Sequence, residues 1–280
     1  MAPRLSVIMP VYNERAFVAD ALARVRAAEP ADKEIIVLDD GSTDGTREYL
    51  TAQTAAGIAG MKVYLLDGNK GKGAVLRYGF REAGGEAAII QDADLEYAPS
   101  DYLALLAPIE RGTADVVFGN RFAHGRGAMR WPHYLGNRIT TAAVNLVSGR
   151  RVTDAWVGYK VFRRAVYTTL DLREDGFSVE LEITMKLARL RRRIAEVPIA
   201  YTPRTRRDGK KIGWHDAARG LWTVLKYSRD GAASTPAPPA RVPSALVMTG
   251  LLWLLIVNAA YLALFLAERV PAVARHLLLP

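Results

Sequence analysis

The sequence predicts an α/β protein built on a mostly parallel, Rossmann-like doubly wound sheet flanked by helices, and three observations carry that prediction. Short apolar runs alternate with segments of helical period through the first 120 residues. Polar clusters close these runs, as expected where a parallel sheet opens its ligand crevice at the carboxyl ends of its strands. With 280 residues, 50% of them hydrophobic, the chain can bury one large core or a domain with appendages.

Taken in order, Leu5 to Met9 reads as a buried strand and Pro10-Val11-Tyr12-Asn13-Glu14 as a loop opening a helix from about Arg15 to Ala28. Lys33 to Leu38 is a second strand. It ends in Asp39-Asp40-Gly41-Ser42-Thr43-Asp44-Gly45-Thr46, a turn followed by a helix start. Met61 to Leu66 gives a third strand, Gly73 to Ala83 a helix, Ala87 to Gln91 a fourth strand and Asp115 to Arg121 a fifth. No signal peptide is evident in Met1-Ala2-Pro3-Arg4, which places the main domain in the cytosol.

The chain has no cysteine, which removes disulfides, thiolate metal sites and thiol nucleophiles and leaves the chemistry to oxygen and nitrogen groups. A net charge of +9 and a pI near 9.8 point to an anionic partner, whether nucleic acid, phosphates or an acidic membrane surface.

The stretch Ile89-Ile90-Gln91-Asp92-Ala93-Asp94-Leu95-Glu96-Tyr97 organises the rest. An apolar strand stops at three carboxylates spaced two apart, so one extended segment could aim all three the same way. Hard oxygen ligands without His or Cys suit Mg²⁺ or Mn²⁺, and such an ion completes its shell with substrate phosphates. The plain alternative is a solvated turn. Asp39 at its strand end can accept from a nucleobase or a ribose hydroxyl; the alternative is a helix cap, for which Asp40, Ser42 and Asp44 are better placed. Asn69-Lys70-Gly71-Lys72-Gly73 can bring amides and two cations to a phosphate, or be an ordinary turn. Arg121 can form a fork with a phosphate, or lie on the surface.

Pro10-Val11-Tyr12-Asn13-Glu14, Asp39-Asp40-Gly41-Ser42, Gly71-Lys72-Gly73, Asp92-Ala93-Asp94-Leu95-Glu96-Tyr97 and Gly119-Asn120-Arg121-Phe122, in this order, resemble the family 2 glycosyltransferases of GT-A fold. The nearest resemblance is to the dolichol-phosphate mannose synthase-like, polyprenyl-phosphate glycosyltransferase branch, over residues 4 to 228. It implies that Pro10, Tyr12, Glu14, Val37 and Asp39 hold the donor nucleoside. Asp92, Ala93 and Asp94 match the diphosphate and metal segment, with Asp94 and Glu96 as direct ligands of Mg²⁺ or Mn²⁺, and Arg121 matches a basic residue at the donor phosphates. Asn120 departs from the Ser or Thr usual there. The resemblance also reaches Asp154, Tyr159-Lys160 and Glu180-Leu181-Glu182-Ile183-Thr184, while Ala155-Trp156-Val157-Gly158 departs from it.

The second half bears on the acceptor. Between Gly119 and Arg151 the charged side chains other than His are all arginines, set among Trp131, Tyr134, Leu135, Ile139 and Leu146. That pattern fits nucleic acid, an amphipathic helix from about Tyr134 to Val147 at a membrane surface, or a helix packed on the sheet. Ala245 to Ala267 decides for the membrane: its 23 residues carry no charge and span roughly 34 Å as a helix, enough for a bilayer core. The expected organisation is a GT-A domain over 1–228 with interfacial helices, a linker over 229–244, one C-terminal transmembrane helix over 245–267 and a short tail over 268–280. Ala217 to Tyr227 reads as a second interfacial helix. The basic loop with Arg204, Arg206, Arg207, Lys210 and Lys211 satisfies a positive-inside bias. Because it resembles the family's acceptor-side loop, Arg204 and Lys211 are expected to contact the lipid phosphate.

The reaction expected is a single inverting displacement. A polyprenyl monophosphate, with a second pKa of about 6, is largely dianionic near neutral pH and attacks the anomeric carbon without a strong base. Asp94, Arg121 and Lys211 form the expected catalytic set, acting by stabilising charge on the leaving nucleoside diphosphate. The partners are a nucleotide-sugar donor, a polyprenyl phosphate and the membrane, with mannose or glucose as the sugar by resemblance; nucleic acid is not expected. Glu180 and Glu182 could each position a sugar hydroxyl or an Arg, or be helix-start acids. The other readings are a family 2 transferase acting on a soluble or glycan acceptor, a nucleotidyltransferase releasing pyrophosphate, and a membrane-tethered nucleic-acid-binding protein that would leave the acidic segment unexplained.

Overall fold

A computed structural model describes residues 2–123, 125–127, 129, 131–204 and 214–229. Strand β1 (Leu5–Val11) lies at the centre, with β2 (Lys33–Asp39) on one side and β4 (Ala87–Ile90) on the other. Beyond β2 lies β3 (Met61–Leu65); beyond β4 come β6 (Lys160–Arg163), β5 (Val116–Asn120) and β7 (Ile194–Pro198). The described sheet therefore reads β3-β2-β1-β4-β6-β5-β7. It is mostly parallel and not wholly so, since β6 runs antiparallel to both β4 and β5. The chain skips one position between β4 and β5, and β6 later fills that slot from the opposite direction.

The strands form because their residues suit burial on both faces: Leu5, Val7, Ile8, Met9 and Ile36 to Leu38 are inaccessible to solvent, as in a sheet covered on both sides. Helices α1 (Val18–Ala27), α2 (Thr46–Ala55), α3 (Lys72–Glu82) and α4 (Tyr102–Glu110) make the connections, the last preceded by a single 3₁₀ turn. Gly79 shows how closely α3 seats on the sheet, because a Cβ there would stand 2.4 Å from Ile8 Cγ2.

Two strands outrun the sequence reading. β1 continues through Pro10 and Val11, which pair in register with Leu38 and Asp39. Helix α1 starts at Val18 and not near Arg15, because Asn13 is left-handed (φ 50°) and the amides of Glu14 and Arg15 donate to Thr46 Oγ1 and Asp44 Oδ2. The loop is thereby stitched to the start of α2.

Helices α5 (Trp131–Ser148), α6 (Arg164–Tyr167), α7 (Val179–Arg189) and α8 (Trp214–Arg229) complete the described structure. Helix α7 is buried along nearly its whole length, including Glu180 and Glu182, and packs against both α5 and α8. α5 begins three residues before the predicted start. It buries Asn137, Thr140, Thr141 and Val144 while Trp131, Leu135 and Leu146 stay exposed; on α8, Trp222 is 64% exposed. Among the described residues no helix is long and apolar enough to cross a membrane. The stretch 245–267, the linker beyond Arg229 and the tail lie outside them.

Candidate active site

Because β1, β2, β4 and β5 all point the same way, their carboxyl ends share one edge of the sheet. Four polar segments meet there: Pro10 to Glu14, Asp39 to Thr46, Gln91 to Glu96, and Asn120-Arg121.

Asp39 ends β2 fully buried. Its Oδ2 accepts from the Ser42 amide at 3.2 Å and from Arg47 Nη1 at 3.1 Å, while Oδ1 has no hydrogen-bond partner among the described residues. A buried carboxylate oxygen left unpaired is costly, so this atom calls for a donor such as a nucleobase N–H. Asp40 does not cap α2; it accepts from the amides of Lys70 and Gly71 at 2.7 and 2.8 Å and so pins the glycine-lysine turn beneath the site. The N-cap of α2 is Gly45, and Asp44, one residue before it, accepts from the Thr46 amide at 3.0 Å. Tyr12 is half-buried at the end of β1, next to Val11 in register with Asp39. Pro10 is half-buried within β1. Val37 is wholly buried in β2, opposite Met9, so its side chain belongs to the core and presents no surface to the crevice.

The acidic segment departs from the extended geometry expected of it. β4 ends at Ile90, Ala93-Asp94 form a turn, and Leu95 is left-handed with φ 62°. Such a backbone strains a branched side chain and persists where surrounding contacts fix it. Here Asp94 Oδ1 accepts from the Glu96 amide at 3.1 Å, folding the segment back. The three carboxylates consequently face different partners. Asp92 meets Lys72 at 2.8 Å, and Glu96 accepts from the Arg204 amide at 2.8 Å and from Tyr201 Oη at 3.3 Å. Ala93 is buried between them. Burial, with the charges of Asp92 and Glu96 close by, pushes the Asp94 carboxyl up to about 7.

That crowding of negative charge is what a hard divalent cation would relieve, and the donor set is all oxygen, as Mg²⁺ or Mn²⁺ requires. Among the described residues no three acidic or His side chains are gathered into a ready-made metal cage. This fits an ion that binds through one or two carboxylates and completes its shell with substrate phosphates.

Arg121 directly follows Asn120, the last residue of β5, and is nearly buried. Its Nε donates to Asp154 at 2.6 Å and its guanidinium lies 4.9 Å from the centre of the Tyr201 ring. Asp154 is held by Asn137 of α5 at 2.8 Å and by the Trp156 amide at 3.1 Å. The neighbouring Asn120 turns its Oδ1 to the Phe122 amide, a local turn contact. Arg204 pairs with Glu14 across the site at 2.5 Å and lies over Phe17. Lys211, with the rest of 205–213, lies outside the described residues.

Several side chains make contacts that the sequence did not indicate. Lys72 turns inward to Asp92 and Glu180 instead of out toward a phosphate; Asp154 and Lys160 are buried charges; Tyr97 stacks on Tyr159 at 4.9 Å and accepts from the Gly158 amide. One signal was available for Lys72, since a cation in the first turn of a helix opposes the helix dipole and needs a local anion.

The fold and the matches to known proteins together define a glycosyltransferase of GT-A-like architecture. The chain belongs to glycosyl transferase family 2, whose family model matches residues 6–170. Over 260 residues it is 28% identical to a dolichol-phosphate mannosyltransferase of Pyrococcus furiosus, covering 90% of this chain and 72% of the relative. It is 33% identical over 232 residues to glycosyltransferase AglJ of Haloferax volcanii, covering 82% and 73%. With an undecaprenyl-phosphate mannosyltransferase of Micrococcus luteus it shares 30% over 220 residues, covering 75% and 88%. These relatives place it in the dolichol-phosphate mannose synthase-like branch. Among solved structures, glucosyl-3-phosphoglycerate synthase from Mycobacterium tuberculosis in complex with phosphoglyceric acid matches with a TM-score of 0.62 at 23% identity, covering 81% of this chain and 80% of that one. The same enzyme in complex with Mn²⁺, uridine-diphosphate and glucosyl-3-phosphoglycerate matches at 0.59 and 21%, with the same coverage. That likeness establishes the GT-A-like fold.

Proposed function

We propose that this protein transfers a hexose, mannose or glucose, from a nucleotide-sugar donor to a polyprenyl phosphate at the cytosolic face of a membrane, with inversion at the anomeric carbon. The observation that carries the reading is the meeting of an acidic segment, Asp92 to Glu96, with two nearly buried arginines, Arg121 and Arg204, at one edge of the sheet. The names of the relatives, dolichol-phosphate and undecaprenyl-phosphate mannosyltransferases, support the acceptor class.

In this reading Pro10, Tyr12, Glu14 and Asp39 frame the nucleoside pocket, and Val37 supports it only from behind, within the core. Asp39 Oδ1 is the acceptor for the base. Asp92, Ala93 and Asp94 line the diphosphate, and Asp94 and Glu96 would hold Mg²⁺ or Mn²⁺; the ion found with uridine-diphosphate in the mycobacterial synthase supports this. When bound, such an ion would neutralise charge on the departing diphosphate. Glu96 would then exchange its Tyr201 contact. Arg121, held by Asp154, presents a fixed cation to the same phosphates. Arg204 and Lys211 bind the lipid phosphate. The acceptor brings its own nucleophilic oxygen, so the protein's task is to hold two anions together and exclude water.

The GT-A domain over 1–228 would be tethered through a linker over 229–244 by a transmembrane helix over 245–267, with 268–280 a short tail and α5 and α8 lying at the membrane surface. The exposed Trp131 and Trp222 support that placement. The deciding experiment incubates the full chain in detergent with polyprenyl phosphate and a panel of nucleotide sugars, and identifies the glycolipid by mass. A glycolipid carrying one hexose is expected. Sugar transfer to soluble or glycan acceptors with none to polyprenyl phosphate, or unchanged transfer in both Lys211→Ala and Arg204→Ala, would overturn the acceptor assignment.

A further inference from the structure

Four buried or nearly buried charged side chains form a chain leading inward from the site. Lys72 Nζ lies 2.8 Å from Asp92 Oδ1 and 3.0 Å from Oδ2, and makes a charge contact of 3.0 Å with Glu180 Oε1. The other Glu180 oxygen accepts from Lys160 Nζ, which also donates to Val157 O and lies 4.9 Å from the Phe118 ring centre. The order is carboxylate, ammonium, carboxylate, ammonium, so the network is neutral as a whole. Exposure falls along it, from 21% for the Asp92 side chain through 11% and 3% to none for Lys160.

We propose that Lys72, backed by Glu180, is a positioning residue that fixes the Asp92 carboxylate and with it the diphosphate-binding segment; this rests on the donor-site reading above. Three observations support it. First, the regular backbone pairing that holds β4 stops with the Gln91 amide on Ile8 O at 2.9 Å, and from Asp92 to Leu95 the chain turns and becomes left-handed. The Asp92 side chain is therefore an anchor for the start of a segment that has left the sheet, as Arg204 is for its end at Asp94 and Glu96. Second, among the described residues the Lys72 ammonium meets Asp92 and Glu180, which aims it at the Asp92 carboxylate and into the protein. Third, the space around the network is closed. A Cβ on Gly158 would stand 2.7 Å from Asp92 Oδ2 and 2.9 Å from Lys72 Nζ, so backbone, lysine and carboxylate fill one another's space.

The arrangement also settles what Glu180 does in this structure. A lysine in the first turn of α3 is opposed by the helix dipole and by burial, and two carboxylates are needed to hold it charged; Asp92 supplies one and Glu180 the other. Glu180 in turn is balanced by two cations, Lys72 at one oxygen and the fully buried Lys160 at the other. Glu180 thus lies one residue removed from the donor segment, and it acts on that segment through Lys72.

The test uses the full chain in detergent and two readouts. Hydrogen exchange of the backbone amides over 91–96, measured without nucleotide or metal, should accelerate in Lys72→Met and, to a smaller degree, in Glu180→Gln. Calorimetric binding of UDP and of GDP in the presence of Mn²⁺ should weaken by roughly 10- to 100-fold in Lys72→Met, the loss typical when an outer partner of a metal site is removed. Asp92→Asn should weaken binding similarly, and the double variant Lys72→Met/Asp92→Asn should bind no worse than the weaker single one, because both changes break one linkage. Multiplicative losses in the double variant would mean that Lys72 touches the donor itself and would overturn the proposal. So would unchanged exchange over 91–96. If Lys72→Met fails to fold, Glu180→Gln decides by the same two readouts, and normal exchange with normal binding there sinks the idea. A wild-type chain that binds neither nucleotide would instead defeat the donor-site reading, an outcome the ligand-free exchange measurement keeps separate.

Discussion

Arg204 and Glu14, 190 residues apart in sequence, close on each other through two hydrogen bonds, Nη2 to Oε2 at 2.5 Å and Nη1 to Oε1 at 3.3 Å. The same arginine donates from its amide to Glu96 and from Nε to the carbonyl of Asp94. One side chain therefore ties the loop after β1, the acidic segment after β4 and the segment after β7. Arg204 thus braces the strand ends against one another, a task broader than meeting a lipid phosphate.

Breaking this pair from one side should cost more than removing both partners. The two side chains are about a tenth exposed, so Arg204→Met withdraws a two-point cation from a poorly solvated Glu14 carboxylate, a loss that costs about 3 kcal/mol. The double variant Glu14→Gln/Arg204→Met should recover much of that in urea unfolding. Equal stabilities for the single and double variants would show that the pair contributes little.

Asp94 should separate chemistry from folding. Asp94→Asn removes one of three clustered carboxylates, so the ligand-free fold should be as stable as the wild type or more so, whereas sugar transfer should fall below detection. Full activity of the wild type in excess chelator, or near-normal turnover of Asp94→Asn, would rule out the metal assignment.

The fold was readable because strand and helix signals lay close together in sequence: β1 to β4 each appear as an apolar run ended by turn chemistry, within one or two residues of where they stand. The antiparallel β6 was not readable, since Lys160 to Arg163 is a short run with a buried lysine, and its place depends on a gap left between β4 and β5. In the site, sequence supplied which residues gather at the strand ends. It could not supply their pairing. That Asp92 belongs to Lys72, Glu96 to Arg204 and Arg121 to Asp154 follows from distances across 20 to 108 positions, for which one sequence holds no local signal. The pleat argument for three aligned carboxylates failed for a definite reason: the strand ends at Ile90, before the first of them.

Acid should loosen the far end of the sheet at a defined pH. The hydrogen-bonded Arg193 guanidinium, against the opposing effect of burial, holds the Asp115 carboxyl down to about 2 and joins the entrances of β5 and β7. An acid with a depressed folded pKa contributes stability above its unfolded value of about 3.9, and that contribution is lost as pH falls toward 2. Unfolding midpoints measured from pH 5 to pH 2 should fall less in Asp115→Asn than in the wild type. Parallel curves would refute the linkage.

The tether can be separated from the donor site by truncation. A chain ending at Asp230 keeps the whole of α8 and lacks 245–267, so its membrane association should weaken while nucleotide binding remains. Residual attachment through α5 and α8 is expected, since Trp131 and Trp222 are each 64% exposed. Loss of nucleotide binding in a truncated chain that keeps its circular dichroism would mean that the C-terminal stretch also serves the site.

Asp154 provides the sharpest test of how Arg121 works. The carboxylate is fully buried and shared among Arg121 Nε, Asn137 Nδ2 and the Trp156 amide, so it joins the end of β5 to α5. Despite the burial that opposes its charge, Arg121 keeps its carboxyl below the usual range, and Asp154 in turn holds the guanidinium charged. Asp154→Asn preserves shape and removes the countercharge, which should destabilise the fold by about 3 kcal/mol or more in urea unfolding. It should also let the guanidinium swing from its fixed place, weakening nucleoside diphosphate binding while leaving the affinity for the bare nucleoside, which the proposed function gives to Asp39 and Tyr12, nearly unchanged. Equal losses for nucleoside and diphosphate would mean that Arg121 supports the fold of the site and does not engage the phosphates.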